Sequence, residues 1–476
     1  MDTPSPEDIT DYQLALRWIS DRINYERTRP SRHSNPFRLE RIERMLGLIG
    51  APQQRIPVIH IAGTKGKGST AAMLSAVLQR AGIHHGLFTS PHISQLEERM
   101  RVDGCMPGPQ RLTRLVADLA ERLSHSPAVA DREPTFFEVT TLLAWMLFDQ
   151  ENVEVVVLET GLGGRLDCTN VCRPLVTMIT SIGLDHTQIL GNTLPQIAAE
   201  KAGILKPGIP VVEGQLPESA ANVVSETALR LSCPHYRFGR DFSVVAEPRA
   251  APATASGMRS CPFSVITRDR RLENLTVPLY GDHQIRNASL VVMAADLLGR
   301  TQFPGITTDR IREGLAATWW PLRFEVIPGR PCHILDAAHN PDSITALTDA
   351  LRHYSAPPGP RVLIFAASAD KDAAAMLQIA LPQFDQVILT RYLTNPRCIS
   401  PAVLAELCRT IIRGTTPQIA VVADPLTALR EADDTAGPDG LVCASGSLFL
   451  AAEVRALLPG CPPMFRTMEA TEREGD

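Results

Sequence analysis

The stretch VIHIAGTKGKGSTAAMLSAVLQRAG, residues 58–82, leaves few folds open to this chain. Val58, Ile59, His60 and Ile61 form a largely β-branched, apolar run, as a strand buried on both faces of a parallel sheet requires. Gly63, Gly66 and Gly68 then allow positive φ and close backbone approach. Ala71, Ala72, Met73, Leu74, Val77 and Leu78 supply the apolar face of a helix. Strand, glycine turn and helix, in that order, aim backbone N–H groups and a helix dipole at a point just beyond Lys67, a setting for an anion. Lys67 adds a mobile positive charge, and Ser69 or Thr70 a hydroxyl for phosphate or Mg²⁺. The pattern is G-T-x-G-K-G-S-T, not the common G-x-x-x-x-G-K-[ST] loop, because Gly68 follows Lys67. An ordinary βα turn without a ligand is the weaker reading.

A chain of 476 residues exceeds the size at which one hydrophobic core keeps growing, so at least two domains are expected. With 44% hydrophobic and 21% charged residues the composition is that of an ordinary globular protein. A net charge of −5 makes no electrostatic case for a nucleic-acid or membrane partner. The acidic start MDTPSPEDITDYQLALRW lacks the basic and apolar regions of a signal peptide. No stretch reaches the roughly 18 apolar residues that span a bilayer, so a cytoplasmic location is expected. The ten cysteines contain no C-x-x-C pair and read as reduced, mostly buried thiols; Cys168 and Cys172 are the closest two.

Along the chain, apolar residues recur at helical spacing in residues 7–28 and 37–49, and residues 111–123 and 136–149 also read as helices. Apolar strands are expected in HHGLFTSPHIS, at 153–161 and 175–183, and at 209–214, with a helix at 194–205 between the last two. Strands alternating with helices argue for a doubly wound parallel sheet. Residues 239–280 lose that rhythm: a proline-bearing loop at 247–262 is flanked by short antiparallel hairpin strands. Helices return at 283–299 and within 304–322, the latter ending at Trp320-Pro321. The reading is an α/β protein with an N-terminal domain at 1–320 and a smaller Rossmann-like domain at 321–466, followed by a disordered acidic tail at 467–476.

Ligand groups collect at the carboxyl ends of parallel strands. Those ends deliver the glycine loop, then Ser90, then Glu159 followed by GLGGRLDCTN, then SIGLDHTQ with Asp185 and His186; Lys201 lies on the next helix. Singly, each has a plain structural explanation. Arriving together beside a phosphate loop, oxygen and imidazole groups suit Mg²⁺, which takes few protein ligands.

Nine stretches, HIAGTKGKGST, LFTSPHI, TFFEVTTLLAW, LETGLGGRLDCTN, TSIGLDHTQILGNT, EKAGILKPGIPVV, LYGDHQIRNA, RFEVI and DAAHNP, run in one order from about residue 58 to 341. In this the chain resembles the folylpolyglutamate synthase/dihydrofolate synthase family of Mur-type ATP-dependent amide ligases. SGSLFLAAEV near 445 resembles the family's C-terminal segment. The resemblance implies an N-terminal P-loop ATPase domain of the Mur ligase type and a C-terminal glutamate ligase domain. It implies that Gly63, Thr64, Lys65, Gly66, Lys67, Gly68, Ser69 and Thr70 wrap the phosphates of ATP, with Asn287, Arg323 and Asp336 as further nucleotide contacts. Ser90, Glu159 and His186 resemble ligands of two Mg²⁺ ions, and Lys201 a lysine that is carbamylated beside the second. On the residues alone, Lys201 reads equally as an ion-paired surface lysine. His339 in DAAHNP faces the cleft as a proton-transfer candidate or serves only to orient the turn before Asn340-Pro341. Thr135, Phe136, Phe137, Glu138, Leu166 and Asp167 resemble pterin-contacting positions of bifunctional members, although Phe136 and Phe137 also suit a core.

The implied reaction is addition of L-glutamate to a folate-type acid, dihydropteroate and/or tetrahydrofolate polyglutamates, through an acyl phosphate, by a monomer. Two positions depart from the family pattern: Lys65 where Asn is frequent, and Leu322 where Gly is usual. A regulatory nucleotide switch leaves the second α/β domain without a part. A binding protein that has lost catalysis leaves Lys67, Glu159, His186 and Asp336 unexplained. A Mur-type ligase acting on another acid stays open, since only the substrate loops distinguish it.

Overall fold

The computed structural model describes residues 4–25, 38–124, 126–129, 132–246, 262–412, 417–461 and 463–468. A seven-stranded sheet forms the first lobe, in the order Met100–Val102, His85–Phe88, Val155–Glu159, Val58–Ala62, Pro174–Ile179, Val211–Glu213, His235–Arg237. All its pairings are parallel except that of Met100–Val102, an antiparallel edge absent from the sequence reading. Val58–Ala62 lies at the centre and is buried throughout. Because strand side chains alternate faces, Ile59, Ile61, Val155 and Val157 enter one core while Val58, Val156 and Leu158 enter another. Helix Lys67–Arg80 packs into the first core, with Asp282–Thr301 and Thr308–Ala316 against it. Leu39–Leu48, Pro109–Ser124 and Phe136–Gln150 cover the other face.

The strands Phe242–Ala246, Phe263–Thr267 and Arg271–Leu275 form the expected antiparallel unit; the loop at 247–261 lies outside the described residues. A second, six-stranded sheet spans Glu325–Ile327 to Leu441–Ser445, and its strands are parallel apart from the antiparallel edge Glu325–Ile327. Leu363 and Phe365 enter one core of this lobe, Val362 and Ile364 the other.

Several boundaries differ from the periodicity. Residues 7–28 form a 3₁₀ turn, Pro6–Asp8, and a helix, Tyr12–Ser20, begun where the Asp11 side chain accepts the Leu14 N–H; residues 26–28 lie outside the described set. The helix expected to reach Trp320 stops at Ala316. Pro321 disfavours helical backbone at the residue before it, so the apolar Trp319-Trp320 pair belongs to the linker. Residues 467 and 468, expected in a disordered tail, are instead tied to the first lobe: Met106 N–H donates to Arg466 O at 2.8 Å and Met468 N–H to Met106 O at 2.9 Å. Residues 469–476 lie outside the described set. Among the described residues no helix is long and apolar enough to cross a membrane.

Candidate active site

The glycine turn is held from the neighbouring strand end. Thr64 N–H donates to Ser181 O at 2.8 Å and Lys65 N–H to Ser181 Oγ at 2.9 Å, while the Thr180 hydroxyl donates to Lys65 O at 2.6 Å. Gly66 sits before the helix at φ +83°, and a Cβ there would lie 2.6 Å from Asn287 Oδ1. Glycine is therefore required twice over at this position, by conformation and by the Asn287 amide on helix Asp282–Thr301. Ser69 and Thr70 point into buried surroundings, and Thr70 Oγ1 has no hydrogen-bond partner among the described residues.

Lysines converge on this turn. Lys67 Nζ donates to Gly63 O at 3.2 Å and stands 3.9 Å from Glu159 Oε1. Lys201 Nζ, buried, donates to the same carbonyl at 2.9 Å. Lys65 Nζ donates to Asp185 Oδ2 at 2.7 Å. Burial and the neighbouring Lys67 bring the Lys201 amine down to about 7, so a neutral amine is available near neutral pH. Glu159 accepts the Ser90 N–H at 3.2 Å, yet burial pushes its carboxyl up to about 7. A small recess opens beside these groups, lined by Gly63, Thr64, Lys67, Asp185, His186 and Lys201. His186, with φ +50°, is half exposed and its Nε2 lies 3.9 Å from Asp185 Oδ1.

The second lobe meets the turn from across the linker. His339 Nδ1–H donates to Ala337 O at 2.8 Å, which leaves Nε2 as the acceptor of the ring. Burial, reinforced by the positive charge of Lys65, lowers its pKa to about 3, so the imidazole is neutral and a weak base. Asp336 is spent on backbone: Oδ2 accepts the Phe324 N–H at 2.7 Å and Oδ1 the Ala338 N–H at 2.8 Å. Leu322 and Phe324 occupy left-handed backbone at φ +56° and +50°. A glycine in place of Leu322 would be unstrained; leucine costs about 1–2 kcal/mol, offset by the Leu322 N–H bond to Glu325 Oε2 at 3.0 Å and the Ala337 N–H bond to Leu322 O at 3.0 Å. Arg323 Nη1 donates to Leu322 O at 3.1 Å, and its charge lowers the pKa of both Glu159 and Asp336 against the effect of burial.

The pterin-type positions are more occupied than the sequence alone suggested. Thr135 and Glu138 cap helix Phe136–Gln150 reciprocally, and Glu138 also lies 3.7 Å from Arg41. Phe136 is buried beneath the Arg99 guanidinium, whereas Phe137 is only partly buried and packs on Phe88. A Cβ on Gly161 would meet the Phe137 ring at 2.4 Å, so the ring rests on the backbone of the 160–170 loop. Leu166 is half-buried in that loop. Asp167 organises it by accepting from Leu162 N at 2.8 Å, Thr169 N at 3.0 Å and the Thr169 hydroxyl at 2.6 Å.

That hydroxyl in turn accepts from His60 Nε2, 2.9 Å away, because its own proton goes to Asp167. Full burial, with a smaller contribution from Lys206, lowers the His60 pKa from 6.5 to about 3. The unfolded chain therefore binds one more proton than the folded chain between those values, so this contribution to stability is complete above pH 6.5 and falls as the pH drops. His60 alone is expected to cost about 2 kcal/mol between pH 7 and pH 5. Urea unfolding at the two pH values measures it, and a His60→Gln variant that kept the full pH slope would contradict the assignment.

Two residues at the site escaped the sequence reading. Lys371, from the second lobe, reaches within 3.8 Å of Asp185 Oδ1. Trp320 lies over the loop, 3.1 Å from where a Cβ on Gly68 would stand. Neither has a local motif; only the apposition of lobes and linker reveals them.

Residues 61–295 match the model of the Mur ligase middle domain and residues 322–448 that of the Mur ligase glutamate ligase domain. Fold and matches together define an ATP-dependent amide ligase of the Mur type. The folylpolyglutamate synthase of Lacticaseibacillus casei is 38% identical over 447 residues, covering 92% of this chain and 99% of that one. The dihydrofolate synthase/folylpolyglutamate synthase of Bacillus subtilis (strain 168) is 33% identical, covering 94% and 99%. A solved FPGS–AMPPCP–folate complex superposes with a TM-score of 0.76 at 34% identity, covering 95% of this chain and all of that one. The chain belongs to the folylpolyglutamate synthase/dihydrofolate synthase family.

Proposed function

We propose that this protein joins L-glutamate to a folate-type acid, dihydropteroate or tetrahydrofolate polyglutamates, with hydrolysis of ATP to ADP and phosphate. The observation that bears most on this is the meeting of Lys67, Lys201 and Glu159 at the Gly63 turn, at the N-terminus of a fourteen-residue helix. Within the 63–70 turn, the backbone N–H groups of Gly66, Lys67, Gly68 and Ser69 at the helix start, together with the helix dipole, hold the phosphates, those of Thr64 and Lys65 being bonded to Ser181. Lys67 follows the γ-phosphoryl group as charge shifts onto it. Asn287 and Arg323 complete the nucleotide contacts, and Asp336 acts by fixing the linker that presents Arg323.

The donor set fits Mg²⁺. Glu159 is a buried carboxylate whose ion pair with Lys67 is loose at 3.9 Å, with Ser90 beside it and His186 on the rim of the recess. No group of three His, Cys, Asp or Glu side chains gathers for a metal among the described residues, but Mg²⁺ bound with phosphate and water needs only one or two carboxylates. Bound there, Mg²⁺ supplies neutralisation of phosphate charge. A neutral Lys201 amine adds to CO₂, releasing one proton and leaving a carbamate, which turns a cation into an oxygen donor.

The acid's carboxylate takes the γ-phosphoryl group, the amine of glutamate attacks the acyl phosphate, and phosphate leaves. Between the lobes this proceeds away from water, which would otherwise hydrolyse the intermediate. His339 faces the turn as a neutral acceptor that orients the incoming amine; its depressed basicity suits it poorly to carry the proton away. Phe137 and Leu166 offer apolar surface to the pterin, with Thr135, Phe136, Glu138 and Asp167 shaping that wall. The lobes divide near residue 320, and the protein works as a cytoplasmic monomer.

Incubating the protein with ATP, Mg²⁺ and glutamate, and dihydropteroate or tetrahydrofolate in turn, gives a product heavier by one glutamyl unit with at least one acceptor. ADP release that depends on neither acid nor glutamate would defeat the proposal.

A further inference from the structure

The C-terminal segment crosses back to the first lobe and ends in a stack of aromatic rings and two arginines. Arg455, buried on helix Leu448–Leu457, lies 5.9 Å from the Trp319 ring and is ion-paired with Glu325 at 3.0 Å. Trp319 meets Phe465 edge-on at 5.6 Å between centroids. Phe465 covers the Arg101 guanidinium at 4.0 Å, and Trp320 covers it at 5.0 Å. Arg101 is 4% exposed, and its Nε and Nη2 have no hydrogen-bond partner among the described residues. The two ring faces are what this buried cation has in their place, a setting in which cation–π attraction is strongest. The backbone bonds of Met106 to residues 466 and 468 seat Phe465 in this position.

Trp320 gives the stack its consequence. A Cβ on Gly68 would stand 3.1 Å from Trp320 Cζ2 and 3.6 Å from Glu159 Oε2, so the indole rests directly on the start of the phosphate-loop helix. The stack thus joins the second lobe, the linker, the edge strand Met100–Val102 and the Gly68 backbone in one line of contacts.

We infer that Phe465 is a positioning residue for nucleotide binding: by closing the stack over Arg101 it holds Trp320 against Gly68 and so shapes the phosphate turn. This rests on the reading of residues 63–70 as the nucleotide site. In the full-length protein, Phe465→Ala raises the dissociation constant of AMPPCP, and KM for ATP, by about tenfold, within the range spanned by one cation–π contact. The kcat at saturating ATP stays within about threefold, since Lys67 and Glu159 are untouched. Phe465→Trp, which keeps a π face, restores affinity to within about twofold. Phe465→Leu keeps apolar bulk without the π face; it decides the matter if the alanine variant does not fold, and shows the same weakening. Unchanged AMPPCP affinity in Phe465→Leu, with only a lowered melting temperature, overturns the inference. Lys67→Ala run alongside separates the two readings. If it too leaves AMPPCP affinity unchanged, the nucleotide site itself is misplaced; if it alone weakens binding, only the role of Phe465 fails.

Discussion

Lys67→Ala abolishes glutamate addition: kcat falls by about 10³-fold or more, while the protein stays folded. The size follows from removing a cation that tracks the transferred phosphoryl group, where single charged or hydrogen-bonding groups contribute about 10²–10⁵. Folding tolerates the change because Lys67 stands at the first position of its helix and its contacts are a 3.2 Å bond to a carbonyl and a 3.9 Å ion pair. Alanine is also the best helix former. Product formation by mass and the melting temperature of the same sample separate the two effects. Turnover within about tenfold of the parent, in a folded variant, would place the phosphoryl transfer elsewhere.

Lys201→Met has the second-largest effect, a loss of about 10²-fold in kcat, as expected when an anionic group beside a metal ion is lost. Methionine preserves the bulk and removes the amine that takes up CO₂. The loss of one buried bond to Gly63 O, at 2.9 Å, changes stability by about 1 kcal/mol. The same proposal fixes a pH dependence. Lys201 titrates near 7 because it is buried beside Lys67, and only its neutral form becomes a carbamate. At limiting bicarbonate, activity therefore rises as the pH passes upward through about 7. Glu159, held near 7 by burial, reinforces that rise, since only the ionised carboxylate binds a cation. Added bicarbonate shifts the profile toward lower pH. Full activity in Lys201→Met, or a profile indifferent to bicarbonate, removes the carbamate from the mechanism.

The phosphate turn was legible because every contact that makes it is local. A buried strand, glycines at 63, 66 and 68, a lysine and a helix lie within 25 residues, and backbone geometry at that range follows residue type. Helix Pro109–Ser124 was legible for the same reason, its apolar spacing matching a helical turn, and Phe136–Gln150 by the length of a run that is apolar almost all round. Reading failed where a segment's conformation answers to distant partners. The edge strand Met100–Val102 exists because His85–Phe88 offers it an antiparallel edge. Residues 467 and 468 look like a polar tail until Met106 pairs with them.

The sequence by itself determined the class of fold, the place of the phosphate loop and the strand ends that surround it, since period and residue type dictate local hydrogen bonding. Tertiary structure alone decided which charges meet there. Lys201 and Gly63 are 138 residues apart, and Lys371 reaches Asp185 from the other lobe. Whether a buried lysine is a cation or a nucleophile, and whether a histidine carries a proton, depends on how much water its neighbours exclude. That exclusion comes from packing the whole chain.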